Sequence, residues 1–84
     1  MSGQEEDIAG LVESLVRPLV EHPDELQSSV RVTEEGAVLV EMRVNEEDAG
    51  KVIGRQGRVI KAIRTLARAA ASRTGTTVEV ELLD

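Results

Sequence analysis

The stretch Lys51-Val-Ile-Gly-Arg-Gln-Gly-Arg-Val-Ile-Lys61 places two glycines, Gly54 and Gly57, around an Arg-Gln pair, with apolar residues on both sides. Glycine lets a backbone turn tightly and approach a ligand without a Cβ in the way. The residues after Gly57 begin a basic amphipathic helix, whose first free N–H groups would point back at the turn. A helix start of this kind favours an anion. The stretch therefore predicts a phosphate-binding turn between two helices.

The charge of the chain is divided between two regions. The formal net charge is −6, yet residues 49–78 hold seven cations and no acid, which is a net charge of +7. The remaining residues hold all sixteen acids and three arginines, a net charge of −13. The seven cations are Lys51, Arg55, Arg58, Lys61, Arg64, Arg68 and Arg73. A basic patch on an acidic body predicts a nucleic-acid surface, because binding follows the local field; a solvated helix face is the alternative.

Length and composition bound the remaining possibilities. Eighty-four residues form one small domain, whose core is too small for an elaborate buried active site. The absence of Cys leaves no disulfide framework and no thiolate zinc site, which fits a cytoplasmic protein. No apolar run approaches the roughly 20 residues of a membrane span. Phe, Tyr and Trp are also absent, so the aromatic base-stacking platform of RRM and most OB-type modules cannot form.

Hydrophobic periodicity predicts the element order αββααβ. Residues 1–5 are expected to be a flexible tail and residues 6–84 a single domain. The first helix is predicted from Glu6 to about His22, with a kink or a second short turn at Pro18, because proline lacks the N–H that a helix interior needs. One three-stranded sheet with the helices packed on one face is the expected layering, which is an α+β fold.

Three strands are predicted at residues 28–32, 37–44 and 76–82, with a hairpin turn between the first two. The second strand alternates in hydrophobicity, which is the period of a strand with one buried face. Its predicted inward side chains are Val38, Val40, Met42 and Val44. The opposite face is expected to carry Ala37, Leu39, Glu41 and Arg43.

Two helices are predicted around the glycine turn. Asn45 is expected to cap the second helix, residues 46–53, and Asp48 three residues later fits a capping-box-like start. The third helix is predicted at residues 58–73, with Gly75 as its C-terminal cap. Its expected buried face comprises Val59, Ile60, Ile63, Leu66, Ala67 and Ala70, and the opposite face Arg58, Lys61, Arg64 and Arg68.

This order, with Gly54-Arg-Gln-Gly57 between the second and third helices, resembles a KH domain of the type II arrangement common in bacteria. Two segments, Leu15-Val-Arg-Pro-Leu-Val-Glu-His-Pro23 and Gly50-Lys-Val-Ile-Gly-Arg-Gln-Gly-Arg-Val-Ile-Lys-Ala-Ile-Arg64, are similar to the small single-KH RNA-binding proteins of the KhpA family. The resemblance covers nearly the whole chain. It implies sequence-relaxed binding of single-stranded RNA, and a homodimer or a heteromer with the larger KH-domain protein KhpB. Implied roles are RNA chaperone or post-transcriptional regulator, with control of cell elongation and envelope synthesis.

The resemblance also assigns residues to RNA binding. Gly54 and Gly57 match the two family glycines, and Arg55, in the variable pair between them, supplies the cation that family members usually place there. Ile53 and Ile60 match the apolar flanks that frame the base-binding groove. The expected RNA-binding residues are Lys51, Ile53, Gly54, Arg55, Gln56, Gly57, Arg58, Ile60, Lys61 and Arg64.

The mechanism expected from this match is a clamp on about four nucleotides. Backbone amides near Gln56, Gly57 and Arg58 would hold phosphates, helped by the positive end of the third helix. Bases would lie over the two isoleucines and one aliphatic strand face, including Val40 or Met42. The resemblance implies RNA rather than DNA as the ligand; the 2′-hydroxyl is the group that would discriminate them, and no residue of the sequence is identified as its partner.

A catalytic function is disfavoured by the residues present. His22 is the single histidine, and no cluster of His, Asp and Glu has metal-ligand spacing. The Lys-Ser/Thr that follows the last glycine of a Walker A loop is missing. Neither a cofactor nor a small-molecule substrate is therefore expected.

Two alternatives to a general RNA-binding protein stay open. One is a ribosome-associated assembly factor, since KH modules also occur in ribosomal proteins. The other is a protein-interaction or dimerisation module with little RNA affinity, built on the alanine-rich third helix. Ala62, Ala69 and the exposed side of Thr65 are the candidate interface positions, whereas Ala67 and Ala70 are expected to pack on the sheet.

Overall fold

The chain folds into helices and a three-stranded sheet in the predicted order αββααβ, which confirms the α+β class. A computed structural model describes residues 3–83; the predicted tail, residues 1–5, lies partly outside this range, and the first helix already begins at Gly3. No helix within the described range is long and apolar enough to cross a membrane. The elements are α1 (Gly3–Val16), β1 (Gln27–Val32), β2 (Val38–Arg43), α2 (Glu46–Ile53), α3 (Arg58–Ser72) and β3 (Val78–Leu83).

α1 ends earlier than the predicted end at about His22. The α-helix stops at Val16, and Pro18 lies in a separate 3₁₀ turn, Arg17–Leu19, because proline has no N–H to continue the helical ladder. The second short turn expected at Pro18 is thus confirmed. The apolar residues Leu19 and Val20 nevertheless pack against the core from the segment beyond the helix.

The sheet has the strand order β1-β2-β3. β1 pairs with β2 antiparallel, and β3 pairs with β2 parallel, so the chain crosses over between β2 and β3 through α2 and α3. The helices pack on one face, as predicted, and the core between layers is wholly aliphatic apart from one methionine. Its largest fully buried apolar side chains are Val12, Val16, Val40, Met42, Val52 and Val78.

The face of β2 that points away from the helices is more buried than predicted for a strand with one buried face. Leu39 is 7% exposed although it points away from the helices. It stands in register with Arg31 on β1 and Glu79 on β3. The long side chains of Arg31 and Glu79 cover Leu39 from both neighbouring strands. Residues of the edge strands β1 and β3 have a neighbouring strand on one side only.

α3 is rotated relative to the predicted buried face. Ile60, Ile63, Ala67 and Ala71 face the core, whereas Leu66 is 50% exposed, and the expected burial of Leu66 and Ala70 is wrong. The spacing of 3, 4 and 4 residues keeps the core positions on one stripe. α3 ends at Ser72, and the predicted cap is found three residues later at Gly75, which has a φ of +72°. Hydrogen bonds from Gly75 N to Ser72 O at 3.1 Å and from Thr76 N to Ala71 O at 3.4 Å form a Schellman motif.

Candidate nucleic-acid interface

The start of α2 is anchored by two side chains with different partners. The predicted N-cap is confirmed, because the Asn45 side chain accepts the Glu47 N–H at 2.8 Å. The expected capping-box role of Asp48 is wrong. Its carboxylate instead accepts the backbone N–H groups of Glu21 at 2.9 Å and His22 at 3.0 Å, on the segment that follows α1. Asp48 therefore ties α2 to the segment that follows α1.

Asp48 is the one buried charged residue among those the structure describes, with 0% of its surface exposed. Burial by itself raises the pKa of a carboxyl, but the N–H donors of Glu21 and His22 together with the charges of His22 and Lys51 outweigh it, and the pKa of Asp48 lies below its usual value. A buried carboxylate that accepts backbone N–H groups holds them in a fixed geometry. This contact fixes the direction of α2, whose last residue precedes the glycine turn.

Lys51, one of the predicted RNA contacts, is already paired with acids. Its Nζ lies 2.8 Å from Glu21 Oε1 and 3.8 Å from Asp48 Oδ1. The hydrogen bond to Glu21, with the negative charges around it, raises the pKa of Lys51. Lys51 thus meets a phosphate only in competition with Glu21.

The glycine turn requires a glycine at its first position. Gly54 has a φ of +78° and ψ of 171°, a conformation essentially confined to glycine. A Cβ at Gly54 would also lie 2.8 Å from Val59 Cβ and 2.9 Å from Val59 N, which is closer than real contacts allow. Gly57 has a φ of +74°, and Gln56 between them has a φ of +59° despite carrying a side chain. The turn is therefore a left-handed segment held against the start of α3.

Two of the amides expected to hold phosphates are used inside this turn. Gly57 N donates to Gly54 O at 3.1 Å, and Arg58 N donates to Arg55 O. The turn instead presents the exposed side chains of Arg55, Gln56 and Arg58. Arg58 Nη2 also donates to Gln56 Oε1 at 3.0 Å, which holds this arginine over the turn. Side-chain charge, more than free backbone N–H, is what the turn offers an anion.

The cations on α3 and its turn lack acidic partners. Within residues 3–83, every carboxylate contact of the basic window belongs to Lys51. The other six cations lie more than 4 Å from any described carboxylate oxygen: Arg55, Arg58, Lys61, Arg64, Arg68 and Arg73. Unpaired cations that converge on one helix leave a positive field for a polyanion.

α3 lies along the edge strand β3 with two arginines turned towards it. Arg64 Nε donates to the Val80 carbonyl at 3.1 Å, and Arg68 Nε donates to the Val78 carbonyl at 3.4 Å. Arg68 comes four residues after Arg64 in α3, whereas its acceptor Val78 comes two residues before Val80 in β3, so the helix and the strand run antiparallel. The two spacings match because four helical residues and two strand residues each advance about 6 Å. An open cleft between them is lined by these arginines and residues 77–81. The cleft leads along α3, away from the glycine turn.

A model of the protein family described as KhpA/KhpB, KH domain, matches residues 9–82. The RNA-binding protein KhpA of Clostridium acetobutylicum is 48% identical over 73 residues, which is 87% of this chain and 96% of that protein. KhpA of Borreliella burgdorferi is 43% identical over 74 residues, 88% of this chain and 89% of that protein. The chain belongs to the KhpA/KhpB KH-domain family. This is a family of RNA-binding rather than catalytic proteins.

The KH fold also appears in a solved structure of low sequence similarity. A crystal structure of a single-residue variant of Aquifex aeolicus Era, bound to GDP·AlF4⁻, superposes with a TM-score of 0.62 at 22% identity. The match covers 89% of this chain and 29% of that one. At this identity the likeness extends to the fold alone.

Fewer of the apolar side chains predicted to contact bases are exposed than expected. Val40 and Met42 are each 0% exposed in the core, so the expected contact of bases with these side chains is wrong. Both face the helices, which cover that side of the sheet. Ile60 is 7% exposed, whereas Ile53 at the end of α2 is 42% exposed. Of the predicted apolar contacts, Ile53 has the surface to receive a base.

The sequence does not predict two features of this candidate interface. It indicates Asp48 as a local cap, and nothing in the local pattern points to the N–H groups of residues 21 and 22. It also does not place Arg68 with Arg64 in the cleft. The i, i+4 spacing of the two arginines was the available signal, but without the position of β3 it indicated a solvated helix face.

Proposed function

We propose that this chain binds single-stranded RNA with low sequence specificity, through the glycine turn and the basic face of α3. Six cations without carboxylate partners, arranged on and after a turn that must be glycine at Gly54, carry the proposal. Relatives named RNA-binding protein KhpA, at 38–48% identity, support RNA as the ligand. Proposed phosphate contacts are Arg55, Arg58 and Lys61, with Ile53 against a base.

Affinity of a single domain is expected to be weak and dependent on salt. A KH turn spans about four nucleotides. If about four phosphates are neutralised, the log–log slope of affinity against salt is near −3 for a single strand. A slope near zero would contradict the electrostatic part of the proposal. A dimer would gain affinity by engaging two sites of one RNA.

The test is a fluorescence-anisotropy titration of a labelled single-stranded RNA with the double variant Arg55→Asp, Gln56→Asp. Asp is one of the residues that tolerates a left-handed conformation, so the turn survives the change at Gln56. The proposal expects a loss of affinity of about tenfold or more, since an added anion repels each phosphate. Circular dichroism checks that the variant is folded.

A charge-matched control is available on the far face of the sheet. Gln27 and Arg43 are exposed, stand opposite each other in the β1–β2 ladder, and point away from the helices. The variant Arg43→Asp, Gln27→Asp makes the same two substitutions there and changes the net charge equally. Equal losses in both variants would mean that net charge, and not the turn, governs binding.

We also propose, from the family resemblance, an RNA-chaperone or post-transcriptional role together with a KhpB-type partner, in control of cell shape and envelope synthesis. A protein-interaction role has its own support in the exposed flank of α3. Leu66 is 50% exposed there, and Ala62, Ala69 and Ala70 are exposed beside it. The double variant Arg55→Asp, Gln56→Asp separates the two roles, because it should lose RNA and keep its oligomeric state in size-exclusion chromatography.

A further inference from the structure

We propose that the free edge of β1 binds an extended, basic segment of a partner protein, which adds a fourth strand to the three-stranded sheet. This surface goes beyond RNA binding, since β1 lies across the sheet from β3, the strand that α3 contacts. A partner that docks in this way pairs its main chain with an exposed edge strand, and its side chains supply the specificity.

The hydrogen-bond ladder shows which groups of β1 point outwards. Thr33 N donates to Ala37 O at 2.8 Å, and hydrogen-bonded pairs alternate along an antiparallel ladder. Val38 N donates instead to Thr77 O at 2.8 Å, on the β3 side, which agrees with this alternation. Every second residue of β1 therefore turns its N–H and C=O groups away from β2. These outward residues are Ser28, Val30 and Val32.

The two edges of the sheet differ in how their outward groups are satisfied. On β3, the carbonyls of Val78 and Val80 accept the Nε–H groups of Arg68 and Arg64. On β1, no hydrogen bond outside the β1–β2 ladder reaches the backbone of residues 27–32 from the part of the chain that the structure describes. β1 is thus the edge with open backbone groups.

β1 also lacks the features that keep edge strands from pairing. Prolines, bulges and very short strands serve that purpose. β1 has no proline, and its register with β2 runs one-to-one over all 6 residues without a bulge. Val32 at its end is 51% exposed. The strand is therefore available for pairing along its length.

The ends of β1 are acidic, which selects the charge of the partner. The exposed acids that flank the strand are Asp24, Glu25, Glu34 and Glu35. Among the described residues, no basic nitrogen lies within 4.0 Å of Asp24, Glu34 or Glu35. A complementary strand carries cations at both ends and apolar residues in the middle, opposite Val30.

The arginines near this edge do not cancel these acids. Arg31 on β1 is paired with Glu41 at 3.7 Å, and Arg17 is paired with Glu13. Arg43 stands one strand further in, on β2. The charge offered to a docking strand is therefore negative.

A second copy of β1 fits this edge less well than a basic segment. In an antiparallel pair of identical strands, the acids before one strand would lie near the acids after the other. In a parallel pair, each acidic end would lie near its own counterpart. Like charges placed opposite each other across strands are destabilising.

The first experiment titrates the protein with a fluorescently labelled peptide that has two lysines at each end and alternating valine and threonine between them. Anisotropy should show binding that weakens with salt. The same peptide with glutamates at its ends should bind more weakly by about tenfold or more. So should the lysine peptide with N-methylated central amides, which keeps its charge but loses its donors. Equal binding of either control peptide, or no binding of the lysine peptide, would overturn the proposal.

Hydrogen exchange measured by NMR locates the contact. In the free protein, the amides of Ser28, Val30 and Val32 should exchange faster than those of Ser29 and Arg31, which bond to β2. Saturating lysine peptide should protect the first set and leave the second unchanged. Protection confined to other parts of the chain would place the peptide elsewhere and contradict docking at β1.

Variants separate the charge from the backbone. Glu34→Lys, Glu35→Lys should weaken binding of the lysine peptide by roughly threefold or more, whereas Glu79→Lys, Glu81→Lys, the same change at exposed positions of β3, should weaken it much less. Val32→Pro removes one outward N–H, at an edge position where proline is tolerated, and should also weaken binding. If Val32→Pro instead converts a dimer into a monomer in size-exclusion chromatography, the edge holds a second copy and the basic segment is excluded.

Discussion

Two charged regions of this KH domain lie within a few residues of each other and differ in how their charges are satisfied. Around α2, Asp48, Lys51, Glu21, His22 and Glu47 form a closed set of hydrogen bonds and ion pairs. Around the glycine turn and α3, the cations have no carboxylate partners among residues 3–83. The comparison teaches that formal charge alone does not separate cations already paired with carboxylates from cations that have no carboxylate partner. Lys51 belongs to the basic window of the sequence but to the paired region of the structure.

The largest expected effect comes from breaking the paired region at its buried centre. Asp48→Ala leaves the N–H groups of Glu21 and His22 without an acceptor, and unsatisfied buried donors are costly. We expect the melting temperature to fall by on the order of 10 °C at pH 7, measured by thermal circular dichroism. RNA affinity should also fall, because α2 carries the glycine turn.

The pH dependence of this loss has a defined sign. The folded-state pKa of Asp48 is lowered, so its contribution is fully present above its unfolded pKa of about 3.9 and disappears as the pH falls through the folded value. The gap between wild type and Asp48→Ala should therefore close in strong acid. Glu46→Ala, at an exposed position in the same helical turn, is the control. A comparable loss in that variant would mean that the dipole of α2, and not the buried carboxylate, is responsible.

The next effect falls on the turn itself. Gly54→Ala forces a side chain into a backbone conformation essentially confined to glycine and into contact with Val59, which costs about 1–3 kcal/mol for the backbone conformation alone. We expect lower stability in urea denaturation and loss of RNA binding. Gly75→Ala is a matched control, because Gly75 also has a positive φ of +72° but open space around it. Equal losses of RNA affinity in both variants would contradict a specific role for the turn.

How far the sequence predicts this molecule depends on the range of the interaction. The helix cap at Asn45, the C-terminal cap of α3 at Gly75 and the turn around Gly54 follow from local patterns, and all three are found where the pattern indicates. The role of Asp48 was missed because its hydrogen-bond partners lie 26 and 27 residues away. The local capping-box pattern competes with a tertiary contact here, and the tertiary contact wins.

The predicted site residues also divide into those that follow from local patterns and those that depend on tertiary contacts. Arg55 and Arg58 stand exposed on the turn, as a local pattern can foresee. Lys51 is paired, Val40 and Met42 are covered by helices, and Arg64 is turned to an edge strand that lies 16 residues further along the chain. Each of these depends on which element packs against which. A period of two or 3.6 residues states which side chains share a face, but not what covers that face.

A smaller effect is expected when Lys51 loses its acidic partner and becomes like the unpaired cations of α3. Glu21→Gln removes the acid that lies 2.8 Å from Lys51 Nζ and frees the lysine for a phosphate. Because the pair is exposed, little stability should be lost. RNA affinity should rise by roughly twofold at low salt, and the salt slope should steepen by about 0.7, the value for one further phosphate on a single strand. Glu25→Gln, which changes the charge equally without touching Lys51, should leave the slope unchanged. An unchanged slope in Glu21→Gln would mean that Lys51 lies outside the RNA path.

The smallest effect concerns His22, at the rim of the paired region. The hydrogen bond to Glu47 Oε1 at 3.0 Å, helped by the charges of Asp48 and Glu25, raises the pKa of His22 above its usual value. A raised folded-state pKa means that the stabilisation is complete below the unfolded value of about 6.5 and is lost as the pH rises through the folded value. His22→Gln should therefore lower the melting temperature by about 2 °C at pH 5.5 and by less at pH 8.5. Added salt should shrink the difference, since Glu47 is exposed. Glu47→Gln should reduce the same pH dependence, because it removes the hydrogen bond and leaves the charges of Asp48 and Glu25. Glu46→Gln, one residue away and without contact to His22, should retain it in full. A pH dependence that Glu47→Gln leaves unreduced would place its origin in Asp48 and Glu25 rather than in the hydrogen bond to Glu47.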